Sequence, residues 1–330
     1  MPRLNVQQLA NGDSVDEVYL VVDKQLRANR QGNLYLHLDL RDATGVVGAR
    51  LWNATEAGSR FFEAGDYIRA RGKVQVFQGA LQLILAHLDP ADRATIDPVE
   101  FLPPSAKDAA KLAVRLRELL RKLNNPHLRA LADCFLIDET FMRKFTTAPA
   151  GIRNHHAYQS GLLEHVVTMM NVADRIVEFY PDVDRDLLMM GIFLHDLGKV
   201  DELSYDRSYG YTDEGQLLGH LVMGVSMVRE KVTRAVDLTG EPFPGELRLR
   251  LEHMIVSHHG SHEYGSPKVP MTPEAVALHH LDNLDAKIHL YAREIRDDPG
   301  RESSWTPYNA SLGRRLFKGS PAGEDGGEPT

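Results

Sequence analysis

Two periods of hydrophobic and polar residues divide the chain into a first part of about 90 residues and a longer second part. In the first part apolar and polar residues alternate, which predicts β-strands with one buried and one exposed face. From about residue 105 to 297 apolar residues recur at spacings of three and four, which predicts helices. The chain is therefore predicted to be a multidomain α+β protein, with an N-terminal barrel followed by an all-helical domain.

The strands are clearest in the segment NLYLHLDLRD, in which four leucines two residues apart share one face. A second segment, GDYIRARGKVQVFQGALQLIL, predicts a hairpin around Gln78 and Gly79. The hairpin side chains expected to face the core are Ile68, Ala70, Val74 and Val76. Those expected to face outward are Tyr67, Arg69, Arg71, Lys73 and Phe77. About five such strands suffice to close a small barrel without a free edge.

The predicted domain boundaries follow from the change of period. Residues 1–90 are predicted to form the barrel, and the proline-rich stretch 91–105 is predicted to be a linker. Residues 106–317 are predicted to form the helical domain, with Ser105 as the N-cap of its first helix. The segment 318–330 is rich in glycine, proline and acidic residues and is predicted to be disordered.

Composition limits the cellular setting and the class of partner. No apolar run reaches the ~18 residues that cross a bilayer, and the segment MPRLNVQQLANGDS has no apolar signal core, so we expect a cytoplasmic protein. The single cysteine, Cys134, excludes an internal disulfide and a thiolate metal cluster. The net charge of −8 argues against a strongly basic nucleic-acid binder. Between Arg27 and Lys73, however, eight basic residues outnumber five acids, a local balance of +3.

The outward face of the barrel combines aromatic and cationic side chains. They are Tyr35, Trp52, Phe77, Arg50, Arg69, Arg71 and Lys73. Aromatic faces stack bases at about 1–3 kcal/mol each and cations follow the phosphates, so this face is a candidate platform for single-stranded nucleic acid. An ordinary exposed strand face, or a contact with the second domain, would show the same pattern. Most of residues 14–88 resembles an OB-fold of the tRNA-anticodon-binding kind, a fold that by itself identifies no ligand.

Histidine is concentrated in the second part, where 13 of the 15 histidines lie beyond residue 120. Five segments in or at the end of apolar helical patterns carry the residue types that bind metals. These residues are His165, His195, Asp196, His220, His258, His259, Asp282 and Asp285. A single buried histidine is more often a hydrogen-bonded core residue than a ligand, but five such segments predict a metal site. Nitrogen and carboxylate ligands without sulfur suit Mn²⁺, Fe²⁺, Co²⁺, Ni²⁺ or Zn²⁺.

The segment FLHDLGKV places His195 and Asp196 side by side. Neighbours on a helix point about 100° apart, so both side chains reach one cavity only where helices converge or where the helix ends. Gly198 would provide that ending. A carboxylate there can bridge two ions and leave between them a water that becomes hydroxide near neutral pH, and Lys199 would bind a phosphate. Asp196 and Lys199 are therefore the candidate catalytic residues; the alternative is a plain helix end with a polar pair facing water.

The ordered set His165, His195-Asp196 and Asp282 resembles the H…HD…D signature of the HD-domain metal-dependent phosphohydrolases. The resemblance implies that these four residues bind one ion. The residues that it implies for a second ion are Asp196, His220, His258 and His259. The motif favours Asp282 over Asp285 as the ligand, which leaves Asp285 as a hydrogen-bond partner of a ligand or as a helix-structural residue.

The order of segments resembles the YhaM-type 3′→5′ exoribonucleases over roughly residues 14–318. It runs from the barrel through HHAYQSGLLEH, HDLGKV and LHHLDNLDAK to WTPYNASLGRRLFKG. The resemblance implies a divalent cofactor, with two ions expected and Mn²⁺ favoured over Fe²⁺, Co²⁺, Ni²⁺ or Mg²⁺. It implies stepwise release of nucleoside 5′-monophosphates from single-stranded RNA, with single-stranded DNA sometimes accepted, and leaves a homo-oligomer open. Arg153 and His156, just before the first ligand helix, are further candidates for contact with the nucleic acid.

Two other functions are compatible with the sequence. One is an HD-domain phosphohydrolase that acts on nucleotides or cyclic dinucleotides and uses the barrel for assembly. It leaves the outward aromatic residues of the barrel unexplained. The other is a nucleic-acid-binding protein with a regulatory or inactive HD site, against which the intact set of ligands argues.

Overall fold

A computed structural model describes residues 3–29, 31–77, 80–92, 96–101, 108–151, 158–205, 210–296, 298, 303–309 and 312–319. These residues form two compact units. One unit contains the barrel together with the described residues from Leu290 onward, and the other contains the helices up to His289. The C-terminal part of the range that the sequence assigns to the helical domain thus groups with the barrel. Of the predicted tail, only Lys318 and Gly319 lie within the described residues.

Five strands form the barrel unit. They are β1 (Ser14–Ala28), β2 (Leu34–Asp42), β3 (Gly45–Trp52), β4 (Tyr67–Phe77) and β5 (Ala80–Pro90). A single helical turn, α1 (Glu56–Ser59), lies between β3 and β4. The barrel closes in the order β1-β2-β3-β5-β4, with β3 and β5 parallel and the other neighbours antiparallel. Closure pairs each strand on both sides, which confirms the predicted five-stranded barrel.

The alternation predicted for the strands is mostly confirmed. On β2, Leu36, Leu38 and Leu40 are fully buried. On β4 the predicted direction is wrong for Tyr67, which is buried, and for Val76, which is exposed. Tyr67 is buried because its ring packs against Phe101, 4.8 Å away between centroids. Val76 lies one residue from the end of β4, and the predicted turn at Gln78 and Gly79 lies outside the described residues.

The second unit is helical. Its helices are α2 (Ala109–Arg121), α3 (Pro126–Leu136), α4 (Glu139–Thr147), α5 (Gly161–Ile176), α6 (Arg185–Leu194), α7 (Lys199–Glu202), α8 (Asp213–Thr239), α9 (Gly245–Ser257) and α10 (Pro273–Arg296), the last of which extends into the other unit. A two-stranded ribbon, β6 (Leu203–Ser204) with β7 (Gly210–Tyr211), separates α7 from α8. Among the described residues, no helix is both long and apolar enough to cross a membrane.

Side-chain caps set where several helices begin. Asp108 accepts hydrogen bonds from the amides of Ala110 and Lys111, so α2 begins at Ala109 rather than after the predicted cap Ser105, which lies outside the described residues. Asp184 caps α6 in the same way, and every residue of α6 from Asp186 to Leu194 is buried. The core of this unit therefore surrounds α6 and the end of α6 from which the HDLGK segment leaves.

Candidate functional site

The predicted metal ligands come from five separate parts of the helical unit and meet in its interior. His165 lies on α5, His195 and Asp196 on the turn after α6, His220 on α8, His258 and His259 after α9, and Asp282 on α10. Their ligand atoms form three overlapping groups, and the atoms within each group lie within 4.8 Å of one another. The groups are His165, His195 and Asp282; His195, Asp196 and His258; and His220, His258 and His259.

Asp196 lies at the centre of this cluster. Its Oδ2 is 3.3 Å from Nε2 of His195 and 4.0 Å from Nε2 of His165. Its Oδ1 is 3.6 Å from Nε2 of His220 and 3.6 Å from Nε2 of His258. The two oxygens of one carboxylate therefore face two different sets of histidines.

All five histidines have the same orientation. Each places Nδ1 against a hydrogen-bond acceptor. For two rings the acceptor is a carboxylate: Asp285 Oδ2 at 2.7 Å for His165 and Glu202 Oε1 at 3.0 Å for His220. For the other three it is a backbone carbonyl: Ile192 at 2.8 Å for His195, Ile255 at 2.8 Å for His258 and Tyr264 at 3.0 Å for His259. Because carbonyl and carboxylate oxygens accept hydrogen bonds, Nδ1 carries the hydrogen. In the neutral ring Nε2 then has a free lone pair, the form in which imidazole binds a metal.

Unmet hydrogen-bonding atoms show that the cluster fits a cation. Nε2 of His195, Nε2 of His220 and Oδ1 of Asp196 are buried and make no hydrogen bond with the described residues. Each buried polar atom left in this way costs about 1–3 kcal/mol. All three atoms are acceptors, so they cannot satisfy one another, whereas a cation between them would. Nitrogen and oxygen donors without sulfur suit a borderline to hard divalent ion.

The ionisation states of the side chains in the cluster also favour a bound cation. Burial alone would lower the pKa of His165, but its hydrogen bonds with Asp282 and Asp285 outweigh burial and raise that pKa to about 9. Burial would raise the pKa of Asp196, but Lys199 and the neighbouring histidines hold it well below its usual range. With ionised carboxylates at its centre, the cluster attracts positive charge.

Lys199 lies beside the central carboxylate. Its Nζ donates a hydrogen bond to Asp196 Oδ2 over 2.7 Å, and the side chain is largely buried. Burial lowers the pKa of Lys199, but the charge of Asp196 more than compensates, so the pKa is raised and the ammonium stays charged. An ammonium has three donors, so the bond to Asp196 leaves others for a ligand.

The role predicted for Gly198 differs from the one observed. Helix α6 already ends at Leu194, so His195 and Asp196 lie on the turn between α6 and α7. Gly198 has φ of −59°, a conformation open to any residue. A Cβ at Gly198 would lie 2.1 Å from the backbone oxygen of His220. Glycine is therefore needed for close packing against α8 and not for ending the helix.

Glu202, which the sequence pattern did not single out, orients the candidate ligand His220. Its Oε1 accepts hydrogen bonds from both the backbone amide and Nδ1 of His220, each over 3.0 Å. The His220 amide is available because Gly219 breaks α8 with φ of 73° and ψ of 157°, outside the helical region. Burial raises the pKa of Glu202, but the bonds to His220 lower it overall, so it is a carboxylate. In the sequence, the one signal that points to Glu202 is its position shortly after the HDLGK segment.

The two aspartates of α10 occupy different positions. Asp282 Oδ1 is 3.3 Å from Nε2 of His165, on the side of the ring that faces the cluster. Asp285 Oδ2 lies at Nδ1, on the opposite side of the same ring, and is buried. This geometry fits Asp282 as a ligand and Asp285 as the residue that orients His165.

On the barrel, an aromatic cluster surrounds Arg50. Tyr35 and Trp52 are directly paired across β2 and β3, with ring centroids 5.0 Å apart. The Arg50 guanidinium lies 5.3 Å from the ring of Phe77, 5.8 Å from that of Trp52 and 6.0 Å from that of Tyr35. Trp52 and Phe77 are exposed. The structure thus brings the three predicted aromatic residues together around one cation.

The other predicted cations, Arg69, Arg71 and Lys73, lie on β4, the strand that also carries Phe77. Arg69 and Arg71 both donate to Asp16, over 2.6 and 3.1 Å, and Arg71 also pairs with Asp89. Lys73 is exposed and has no ion pair among the described residues. Arg153 and His156 lie outside the described residues.

Two family models match the chain in the order of its two units. Residues 20–91 match an OB-fold nucleic acid binding domain, and residues 162–287 match the HD domain. The first range covers most of the barrel. The second contains all the residues of the metal-ligand cluster.

The full chain is similar to curated 3′-5′ exoribonucleases named YhaM. The protein from Bacillus subtilis strain 168 is 36% identical over 291 residues, which covers 88% of this chain and 90% of that protein. The protein from Geobacillus sp. strain WCH70 is 35% identical over 326 residues, which covers 96% of each chain. At this coverage the similarity extends over both units of the chain. The chain therefore belongs to the family of the YhaM 3′-5′ exoribonucleases.

Proposed function

We propose that this protein is a metal-dependent 3′→5′ exoribonuclease that releases nucleoside 5′-monophosphates from single-stranded RNA. The observation that carries the proposal is the set of five histidines whose Nδ1 atoms are all bonded away from the cluster, with Asp196 at its centre. Its relatives are named as 3′-5′ exoribonucleases, which supplies the direction and the RNA substrate.

The cluster has ligands for two divalent ions. His165, His195 and Asp282 would hold one ion, and His220, His258 and His259 would hold the other. Asp196 would serve both, because each of its oxygens faces one set. Divalent ions in such a site lower the pKa of a bound water and neutralise charge on phosphoryl oxygens. The donor set suits Mn²⁺, Fe²⁺, Co²⁺, Ni²⁺ and Zn²⁺ alike, and we favour Mn²⁺ because the resemblance to the YhaM exoribonucleases implies it.

Lys199 is proposed to bind the phosphate that is cleaved. Its ammonium is held in place by Asp196, with donors left for a non-bridging phosphate oxygen. A fixed positive charge stabilises the negative charge that develops in the transition state more than it stabilises the ground state. Asp196 therefore has two functions, since it binds metal and positions Lys199.

The aromatic cluster of the barrel is proposed to bind the single strand. Tyr35, Trp52 and Phe77 offer faces for base stacking, and Arg50 among them offers a charge for the backbone. Lys73 is a further phosphate contact in this proposal. Arg69 and Arg71 contribute less than the sequence predicts, because Asp16 and Asp89 already neutralise much of their charge.

The test uses a single-stranded RNA of about 20 nucleotides, labelled at the 5′ end in one reaction and at the 3′ end in another. With Mn²⁺ we expect a ladder that shortens from the 3′ end and early release of the 3′ label as a mononucleotide. Asp196→Ala should abolish both signals, whereas the control Asp237→Ala, at an exposed acid of α8, should not. Intact RNA beside hydrolysed nucleotides or cyclic dinucleotides would contradict the proposal and favour a small-molecule phosphohydrolase.

A further inference from the structure

The segment WTPYNASLGRRLFKG has no role in the function proposed above. Together with Ser303 and Ser304 just before it, its described residues, 305–309 and 312–319, form two antiparallel bridges, between Trp305 and Phe317 and between Asn309 and Arg314. We call these residues the C-terminal hairpin. It belongs to the same compact unit as the barrel.

The C-terminal hairpin is anchored through a small buried side. Leu316 and Thr306 are buried, and the Leu316 amide donates to Thr306 Oγ1 over 2.9 Å. Asn309 Nδ2 donates to Glu294 Oε2 over 2.7 Å, which ties the hairpin to the end of α10. These contacts hold the backbone in place, so the exposed side chains extend from an ordered support.

The large aromatic side chains of the C-terminal hairpin point away from this anchor. Trp305 is 47% exposed, Phe317 58% and Tyr308 66%. Trp305 and Phe317 pack against each other, with ring centroids 5.1 Å apart, as a cross-strand pair that stabilises a hairpin. That pairing gives no reason for the exposure of Tyr308. Three exposed aromatic residues within 13 positions form a surface that stacking partners can reach.

The charge of the C-terminal hairpin is opposite to that of the whole protein. Its sequence contains Arg314, Arg315 and Lys318 and no acidic residue, in a chain of net charge −8. Lys318 pairs with Asp298, but among the described residues neither arginine has an ion pair. Each arginine is exposed, and within the described ranges its hydrogen bonds are limited to one from Nε to a nearby backbone oxygen. Their terminal nitrogens are therefore available for an anion.

We propose that the C-terminal hairpin is a second binding surface for single-stranded RNA, separate from the aromatic cluster of the barrel. Tyr308, with the Trp305–Phe317 pair, would stack bases, and Arg314 and Arg315 would contact phosphates. Stacking faces next to unpaired cations are the combination that binds single strands without sequence preference. The proposal rests on the proposed action on single-stranded RNA and adds a second place where the strand is held.

The test measures binding of the full chain to a fluorescent 20-nucleotide polyuridine, with a chelator present so that no RNA is cleaved. Tyr308→Ser should weaken binding about fivefold or more, the low end for loss of one stacked base. Arg314→Gln should make the slope of log K against log[salt] shallower by about 0.7. The control Tyr180→Ser removes a tyrosine of similar exposure, 58%, from the helical unit and should bind as the wild type does.

Further measurements separate this proposal from the one on which it rests. Trp52→Ala weakens RNA binding if the barrel binds the strand, whatever the C-terminal hairpin does. Wild-type affinity in Tyr308→Ser and in the double variant Arg314→Gln/Arg315→Gln, with Trp52→Ala impaired, overturns the hairpin proposal and leaves the exonuclease intact. Hairpin variants that change the sedimentation coefficient but not RNA affinity also overturn it, since the hairpin would then bind a second copy of the chain. Unchanged melting of each variant shows that it is folded.

Discussion

Each histidine of the proposed metal centre has a hydrogen-bond acceptor at its second ring nitrogen. For four of the five the acceptor is a backbone oxygen or Asp285, but for His220 it is Glu202, which binds the ring and the backbone amide at once. A carboxylate in this position fixes the tautomer and makes Nε2 a stronger donor to a metal. Glu202 therefore orients a proposed ligand without itself lying among the candidate ligand atoms.

We expect Glu202→Ala to weaken Mn²⁺ binding by about 10- to 100-fold, because His220 loses the acceptor for both of its N–H groups. Glu202→Gln keeps an acceptor oxygen without the charge, so the loss should be smaller. Isothermal titration with Mn²⁺ measures both, and the Co²⁺ absorption spectrum reports the ligand field at His220. Glu214→Ala, at an exposed acid near the start of α8, is the control. Equal affinity in Glu202→Ala and in the control would show that Glu202 does not position His220.

At the level of elements, one side chain joins α4 to α8. Asp138 caps α4 by accepting from the Phe141 amide over 2.9 Å and also accepts from Nζ of Lys231 over 2.5 Å. Lys231 is buried, with its ammonium 5.6 Å from the ring centroid of Phe135. The hydrogen bond from Lys231 and the bond from Phe141 lower the pKa of Asp138. This carboxylate therefore stabilises the fold most when it is ionised.

Because the folded state has the lower pKa, the contribution of Asp138 is fully present above its unfolded value of 3.8 and is lost as the pH falls through the folded value. Asp138→Asn keeps the cap but loses the ion pair, and should lower the free energy of unfolding at pH 7 by about 1.5–3 kcal/mol. Asp138→Ala should lose about 1 kcal/mol more, because the cap is also removed. The difference between wild type and Asp138→Asn should shrink below pH 4 in urea titrations followed by circular dichroism at 222 nm. A difference that stays constant with pH would exclude the ion pair as its cause.

At the scale of the whole molecule, the chain keeps its chemistry and its aromatic surfaces in different units. All the proposed metal ligands lie in the helical unit, from His165 to Asp282. Both tryptophans, Trp52 and Trp305, lie in the unit of the barrel. Circular dichroism at 222 nm is dominated by the helices, whereas tryptophan fluorescence reports on the barrel unit alone. The two signals can therefore be followed separately.

Each Mn²⁺ ion at 100 times its dissociation constant should stabilise the helical unit by about 2.7 kcal/mol, since it binds the folded state and not the unfolded chain. For a unit of this size the melting temperature measured by circular dichroism should rise by about 5–10 °C for each ion bound. The transition seen by tryptophan fluorescence should not move. A chelator should reverse the shift, and an equal shift of both transitions would show that the ligands do not act on the helical unit alone.

Periodicity predicted the barrel and the helices well because both depend on which side chains must leave water. The leucines of β2 are buried as their alternation indicates. Tyr67 is buried, against the pattern, because its ring packs on Phe101, which is distant in sequence. Val76 is exposed, against the pattern, because it lies close to the end of β4. The pattern also cannot show that Asp16 neutralises Arg69 and Arg71, because their pairing needs the register of β1 against β4.

The sequence by itself predicted the two fold types and the family, and it named the histidines and aspartates that the structure brings together in one cluster. This was possible because the chemistry of the HDLGK segment and of the surrounding histidines follows from their residue types and needs no coordinates. Only the tertiary structure decided which ring nitrogen of each histidine faces the cluster. It also showed that the two oxygens of Asp196 face different sets of histidines. Finally, it showed that Glu202 orients His220 and that Asp285 orients His165. The contacts that orient His220 and His165 join residues 18 and 120 positions apart, and no local pattern specifies contacts over such separations.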